Sequence, residues 1–305
     1  MGHLSSTQTK IAMPHYLRSA SPPVPMLLSA ETNPELFQPG RTEAGEGGAD
    51  NDLPVFRFMP TDERQASDAA AFAISGGANN FWVVEDSTNP VYSKYLVIEF
   101  VRSVQQQKKS VLLSTNNTTI PSVDSIKAFK PDCVFFAGSP TNALILIRQV
   151  RALSKSAGVP APTIILSDSA VDKTLVDQGG ADVEGVYAVY PMSADEYNDP
   201  NTEFKALGRD ARAVLDVLLE ETSRRFIQLN RQHSGLGYWA KWVLRIHRVS
   251  DARWALGQVM IRSMRERTPF QLTGGRRAVF AEGFRNETAR FRIWRVQNRR
   301  FDNVR

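Results

Sequence analysis

Phe81-Trp82-Val83-Val84, Val111-Leu112-Leu113, Cys133-Val134-Phe135-Phe136, Thr163-Ile164-Ile165-Leu166 and Val186-Tyr187-Ala188-Val189-Tyr190 are five apolar runs between Asn80 and Pro191. Each is β-rich, and a polar turn and a stretch of helical character follow in turn. Parallel strands need helical crossovers, so this repetition predicts an α/β protein with a parallel sheet. Ligands of open α/β sheets bind outside the carboxyl ends of the strands. Several runs end there on a residue suited to touching a small ligand: Asp86 with Tyr92 close behind, Ser139 and Asp168.

The intervening segments repeat apolar residues at helical spacing. Asp62–Ser75 is expected to turn Ala69, Phe72 and Ala73 inward. Tyr95, Ile98, Val101 and Val104 follow the same period within Asn89–Gln107, as do Ala143, Leu144, Ile147 and Val150 within Thr141–Lys155. Upstream, Thr7–Ser19 is helix-like and Met26-Leu27-Leu28 is a short strand. Gln38–Asp52 is a Gly-, Glu- and Ala-rich loop, and Val55–Met59 alternates as an edge or hinge strand. Beyond the polar linker Pro191–Asn201, helices are expected at Glu203–Leu229, Tyr238–His247 and Asp251–Arg267. Strand character returns at Ala278–Ala281 and Phe291–Val296, with Phe291, Ile293 and Val296 divided between the two faces of a sheet.

With 305 residues, 42% hydrophobic and 23% charged, the chain has the composition of a globular protein large enough for two lobes. The lone Cys133 lies in an apolar run, a small buried hydrophobe without an internal disulfide partner. No apolar run approaches the roughly eighteen residues of a membrane span. Met1–Lys10 lacks the basic start and apolar middle of a signal peptide, which gives a cytoplasmic product if that start is genuine. The net charge of +5 is modest, and arginine concentrates after residue 206. Phe291, Trp294 and Phe301 fit strand-face packing, so nucleic acid is not the expected partner.

Catalytic signatures are scarce. The histidines (His3, His15, His233 and His247) are scattered without metal-ligand spacing, and there is neither a GxSxG elbow nor a P-loop. No cofactor, metal or catalytic residue is indicated. Asn116-Asn117-Thr118 and Asn286-Glu287-Thr288 match glycosylation sequons, a pattern frequent by chance. Asp168 suits a ligand ammonium, but as a helix N-cap it or Ser169 needs no ligand. Ser5-Ser6-Thr7 and Thr32-Asn33 open two helices, where hydroxyls and free N–H groups either hold a carboxylate or cap. Tyr92 covers a ligand with its ring or packs at a helix start.

Several stretches in order resemble a known family. They are Gly2-His3-Leu4-Ser5-Ser6-Thr7-Gln8, Ser29-Ala30-Glu31-Thr32-Asn33-Pro34-Glu35-Leu36, and Phe56-Arg57 with Pro60-Thr61-Asp62 and Gln65. Asp86 with Tyr92, Pro131–Gly138 and Glu184-Gly185-Val186-Tyr187 continue the series. Together they resemble the type I periplasmic binding proteins, in the leucine/isoleucine/valine-binding branch that serves ABC transporters. The resemblance implies two Rossmann-like lobes with parallel sheets, joined by hinge strands and closing over a small-molecule ligand. It implies a monomer outside the cytoplasm, read by a membrane permease, without catalysis. Lobe one is expected from 1–59 and 196–286, and lobe two from 60–195 and 287–305.

Residue by residue, the resemblance implies that Ser5 or Ser6 and Thr32 hold a ligand carboxylate. Ala30 offers its carbonyl to the ammonium, Asp168 is the acidic ammonium partner, and Tyr92 is a lobe-two aromatic contact. Ser139 stands where the best-known members carry a second tyrosine, which favours an amino acid or similar polar ligand over a strictly branched aliphatic one. Relative to the family pattern the chain opens inside lobe one, so that lobe is expected to be incomplete and the product truncated or mis-started. The alternatives are a ligand-sensing regulatory or receptor domain of the same fold, and an enzyme on a doubly wound sheet.

Overall fold

The computed structural model describes residues 8–12, 26–28, 32–34, 55–57, 59–114, 120–191, 194, 198, 270–271, 277–278 and 290–304. The expectations at Ser5, Ser6 and Ala30, at both sequons, in the 38–52 loop and in the helices between 203 and 267 lie outside the described residues.

The described strands are β1 (Met26–Leu28), β2 (Val55–Arg57), β3 (Asn80–Glu85), β4 (Ser110–Ser114), β5 (Cys133–Ala137), β6 (Thr163–Leu166), β7 (Tyr187–Tyr190), β8 (Phe270–Gln271), β9 (Arg277–Ala278), β10 (Arg292–Gln297) and β11 (Arg300–Asn303). The helices between them are α1 (Asp62–Ser75), α2 (Pro90–Gln106), α3 (Val123–Phe129), α4 (Pro140–Ala157) and α5 (Lys173–Gly179). β1 and β2 pair in parallel, and β8 and β9 pair antiparallel. The main sheet has seven strands in the order β11-β10-β7-β6-β5-β3-β4. β4, β3, β5, β6 and β7 run parallel, while β10 lies antiparallel to β7 and to β11.

Burial on both faces explains why the central runs carry no polar alternation. All five residues of β5 are buried. One face packs Trp82, Val84, Val134, Phe136, Leu166 and Trp294 against α4 and α5. The other packs Phe81, Val83, Phe135 and Ile165 against α1 and α2. On that side Phe100 stacks on Phe135, with ring centres 3.9 Å apart and planes 2° from parallel, and meets Phe81 edge-on at 5.9 Å. Burying each such ring contributes about 1.5–3 kcal/mol.

α1 approaches the sheet closely because its buried face is small: Ala66, Ala69, Ala70 and Ala73, with Asp62 and Gln65 at its start. Asp62 and Glu63 in the first turn complement the helix dipole. α2 begins with Pro90, whose missing N–H costs nothing there. Its inner stripe differs from the expected one. Leu96, Val97, Phe100 and Val104 face the core, whereas Ile98 is 44% exposed and Tyr95 and Val101 are half-buried. The apolar residues of this segment cover more than one face, so periodicity alone admitted a rotated choice.

Phe291 and Ile293 pack on one side of the sheet, and Trp294 and Val296 on the other, as the alternation predicts. The hairpin to β11 was not anticipated. Asn298 and Arg299 at its turn both have positive φ, 53° and 58°. Glu184 steadies that turn by accepting from both backbone N–H groups, at 3.1 and 2.9 Å.

Candidate functional site

β3 lies between β4 and β5, so the strand order reverses there, and the crevice beyond β3 and β5 is the usual ligand position in such sheets. Asp86 stands at this point and is fully covered. Its Oδ1 accepts from Thr88 N at 2.9 Å, Thr88 Oγ1 at 2.7 Å and Asn142 Nδ2 at 3.0 Å. Its Oδ2 accepts from Ser139 N at 2.9 Å, Ser139 Oγ at 3.0 Å and Asn142 Nδ2 at 3.1 Å. Asp86 N reaches Ser93 Oγ at 2.7 Å, and that hydroxyl donates to Ala137 O at 2.5 Å. Burial alone would raise the Asp86 carboxyl. The N–H groups of Ser139 and Thr88, with Asn142 and the Thr88 hydroxyl, outweigh it and hold the group below its ordinary value.

Asp86, first read as suited to touching a ligand, is thus a brace between the loops after β3 and β5. Ser139 turns its hydroxyl to this brace. Gly138 permits the approach: a Cβ there would lie 2.4 Å from Asp86 Cβ and 2.4 Å from Phe136 Cζ.

The neighbouring loop, after β6, carries Asp168. Ser169 Oγ donates to Gly138 O at 2.8 Å and Gly138 N donates to Ser167 Oγ at 3.2 Å, joining the two loops. Capping does not explain Asp168, because the N-cap of α5 is Asp172, which accepts from Thr174 N at 2.6 Å. Asp168 Oδ1 instead accepts from the Tyr92 hydroxyl, from Gln65 Nε2 at 2.9 Å and from Ser169 N at 2.9 Å. No other residue among those described donates to its Oδ2, and the carboxylate is also favoured by its own backbone N–H. Burial pushes the Asp168 carboxyl up, and the bonds from Tyr92, Gln65 and Ser169 only partly offset this. The Tyr92 phenol is pushed well up by burial, then by the charges of Asp168 and Asp62, so it stays protonated and donates.

Thr32 approaches from the other end of the sequence and is buried. Its carbonyl accepts from Asp62 N at 2.9 Å, one helical turn before Gln65. The next side chain, Asn33, donates from Nδ2 to Val91 O at 2.8 Å, beside Tyr92. The segment bearing Thr32 therefore meets the first turns of α1 and α2, next to the Gln65–Tyr92–Asp168 cluster. Gln65 belonged to the sequence resemblance but was not among the expected site residues. Its signal was a polar residue on an otherwise alanine-rich inner face.

A groove of about 480 Å³ between α2 and the edge strand β4, lined by Val97, Ile98, Val101 and Leu113 with Arg102, Gln105 and Gln106, lies away from this cluster. Among the described residues no group of three or more His, Cys, Asp or Glu is placed to hold a metal, and no helix is long and apolar enough to cross a membrane.

No protein-family model matches the chain, and no curated protein matches it. Solved structures do. A leucine-binding protein from Thermotoga maritima superposes with a TM-score of 0.64 at 19% identity, over 100% of this chain and 78% of its own. A branched-chain amino acid transporter substrate-binding protein from Streptococcus pneumoniae, in complex with isoleucine, gives 0.63 at 13% identity, over 99% and 78%. An ABC-transporter solute-binding protein from R. palustris, in complex with benzoate, gives 0.54 at 17% identity, over 82% and 64%. All three are binding proteins. The likeness establishes the type I periplasmic binding protein fold.

Proposed function

We propose that this chain is an extracytoplasmic solute-binding protein that captures an amino acid, or a similar small ligand with an ammonium group, for an ABC transporter. Lobe one would comprise 1–59 and 196–286, and lobe two 60–195 and 287–305, with the ligand between them and a membrane permease reading the closed form. The protein would act as a monomer and catalyse nothing.

The observation that carries this reading is Asp168. It sits at the carboxyl rim of a parallel sheet, with Tyr92, Gln65 and Ser169 donating to one carboxylate oxygen and no other residue among those described donating to the second. A carboxylate pinned in that way suits a cationic group arriving at Oδ2. Solved structures of the same fold contain isoleucine in one case and benzoate in another, so the chemistry of the rim has to choose between ammonium and bare carboxylate ligands. An acidic residue there favours the first. Thr32, Tyr92 and Ser139, with Ser5, Ser6 and Ala30, complete the proposed site.

A thermal-shift screen of the full chain against the twenty amino acids, benzoate and 4-hydroxybenzoate tests it. A ligand that binds only the native state raises the melting temperature. An amino acid is expected to do so, and Asp168→Asn is expected to weaken it about 10- to 150-fold, the worth of a charged hydrogen bond. Binding of benzoate alone, or amino-acid binding unchanged in Asp168→Asn and Thr32→Ala, would refute the reading.

A further inference from the structure

We infer that Gln65 is a positioning residue for the ligand site: its amide N–H, together with the Tyr92 hydroxyl, fixes the Asp168 carboxylate so that one carboxylate oxygen is presented to a ligand ammonium. This rests on the solute-binding reading above and names a residue that reading does not include.

The orientation of the Gln65 amide follows from its surroundings. One end faces two acceptors, Asp168 Oδ1 at 2.9 Å and the Val189 carbonyl at 3.3 Å, so that end is the NH2. The other end, Oε1, lies 3.4 Å from the Tyr92 hydroxyl. The Tyr92 proton goes to Asp168 Oδ1, the closer and charged acceptor. Three elements therefore converge on one oxygen: α1 through Gln65, α2 through Tyr92, and the 168–170 turn through Ser169 N. Three donors on one oxygen fix the plane of the carboxylate.

Packing alone does not call for glutamine here. Gln65 is fully buried, and apart from Asp62 at the helix start the other buried residues of α1 are alanines. An apolar side chain would fill that place without the cost of burying an amide. The amide also ties α1, which follows β2, to β7 through Val189. The position of Asp168 is thereby referred to both segments of the chain that approach the expected hinge. Among the described residues, the titratable groups around Asp168 are Tyr92 and, acting on Tyr92, Asp62.

The test begins with ligand-free full-length protein carrying 13C-labelled aspartate carboxyls, with Asp168 assigned by the loss of its resonance in Asp168→Asn. Removing one hydrogen bond to the charged form in Gln65→Met is expected to raise the Asp168 titration midpoint by about half to one pH unit. Gln65→Glu, which sets a second carboxyl against Oδ1, is expected to move it further and serves if Gln65→Met fails to fold. A midpoint unchanged in a folded variant overturns the inference, because a purely structural role for Gln65 predicts that result.

Calorimetry with leucine and with 4-methylpentanoate, the same skeleton without the amine, adds the ligand arm. The wild-type preference for leucine is expected to drop about tenfold in Gln65→Met, a step of one hydrogen bond. A preference left intact overturns the inference. If the wild type discriminates neither compound and binds no amino acid, the solute-binding reading fails instead, and the carboxyl titration still decides the action of Gln65 on Asp168.

Discussion

Replacing Asp86 by asparagine preserves the shape of the side chain and converts one acceptor oxygen to a donor. Two donors around it can adapt, because the hydroxyls of Thr88 and Ser139 rotate. The backbone N–H groups cannot: Thr88 N points at Oδ1 and Ser139 N at Oδ2. Whichever oxygen becomes nitrogen, one of these N–H groups faces another donor. A buried donor left unsatisfied costs about 1–3 kcal/mol, and removing the charge from the surviving bonds costs roughly another 1–2 kcal/mol. The expected loss is about 2–5 kcal/mol, a large part of the roughly 5–15 kcal/mol available to a typical domain.

Urea unfolding followed by tryptophan fluorescence measures the loss, since Trp82 and Trp294 are buried in the same core. The pH dependence carries a sign. The folded Asp86 carboxyl lies below its ordinary 3.8. Its contribution is therefore complete above that value and disappears as pH falls through the lower folded one. The difference between wild type and Asp86→Asn should be constant from pH 7 to 5 and narrow below about pH 4. A loss under about 0.5 kcal/mol at pH 7, the usual range of a surface change, would refute the brace. A loss that does not narrow in acid would refute the ionised state assigned to it.

Phe100→Ala removes a ring stacked on Phe135 and edge-on to Phe81, and should lower stability by about 3–5 kcal/mol in the same urea assay; a loss below 1 kcal/mol would mean that α2 does not pack as described. Asp168, in contrast to Asp86, has its carboxyl pushed above the ordinary value. In the ligand-free protein its contribution to stability is thus present in acid and lost as pH rises through the folded value, whereas an ammonium ligand needs the ionised form. Calorimetric affinity for an amino-acid ligand should fall on acidification at a pH above the ordinary 3.8 of an aspartate, and affinity constant down to pH 4 would contradict the pairing.

Much of the sheet was legible because its central strands are buried twice over. A run such as Cys133–Ala137 has no solvent face, and that is visible in composition alone. Asp62–Ser75 was equally clear, with acidic residues at its start and a period of alanines. The inner stripe of α2 was not, because Ile98 and Val101 are as apolar as the buried Val97 and Val104. β11 was missed for a local reason: its turn places Asn298 and Arg299 at positive φ without the glycine that usually marks such a turn, and the distant Glu184 steadies it. At the candidate site, Asp168 and Tyr92 stood out as polar groups just past the ends of apolar runs. Their meeting with Gln65, 103 and 27 positions away, is a product of tertiary packing that no local spacing encodes.

The antiparallel strands β10 and β11 set a timetable for the nascent chain. Glu184 and the Asn298 turn that it steadies are 114 positions apart. At a synthesis rate of about 5–20 residues per second, roughly 6–20 s separate the emergence of β7 from that of its partner. During that interval β7 has a bare edge, and the cavity later filled by Trp294, Val296 and Phe301 faces solvent. Pairing β10 with β7 is a long-range closure, a slow kind of contact for a chain to make.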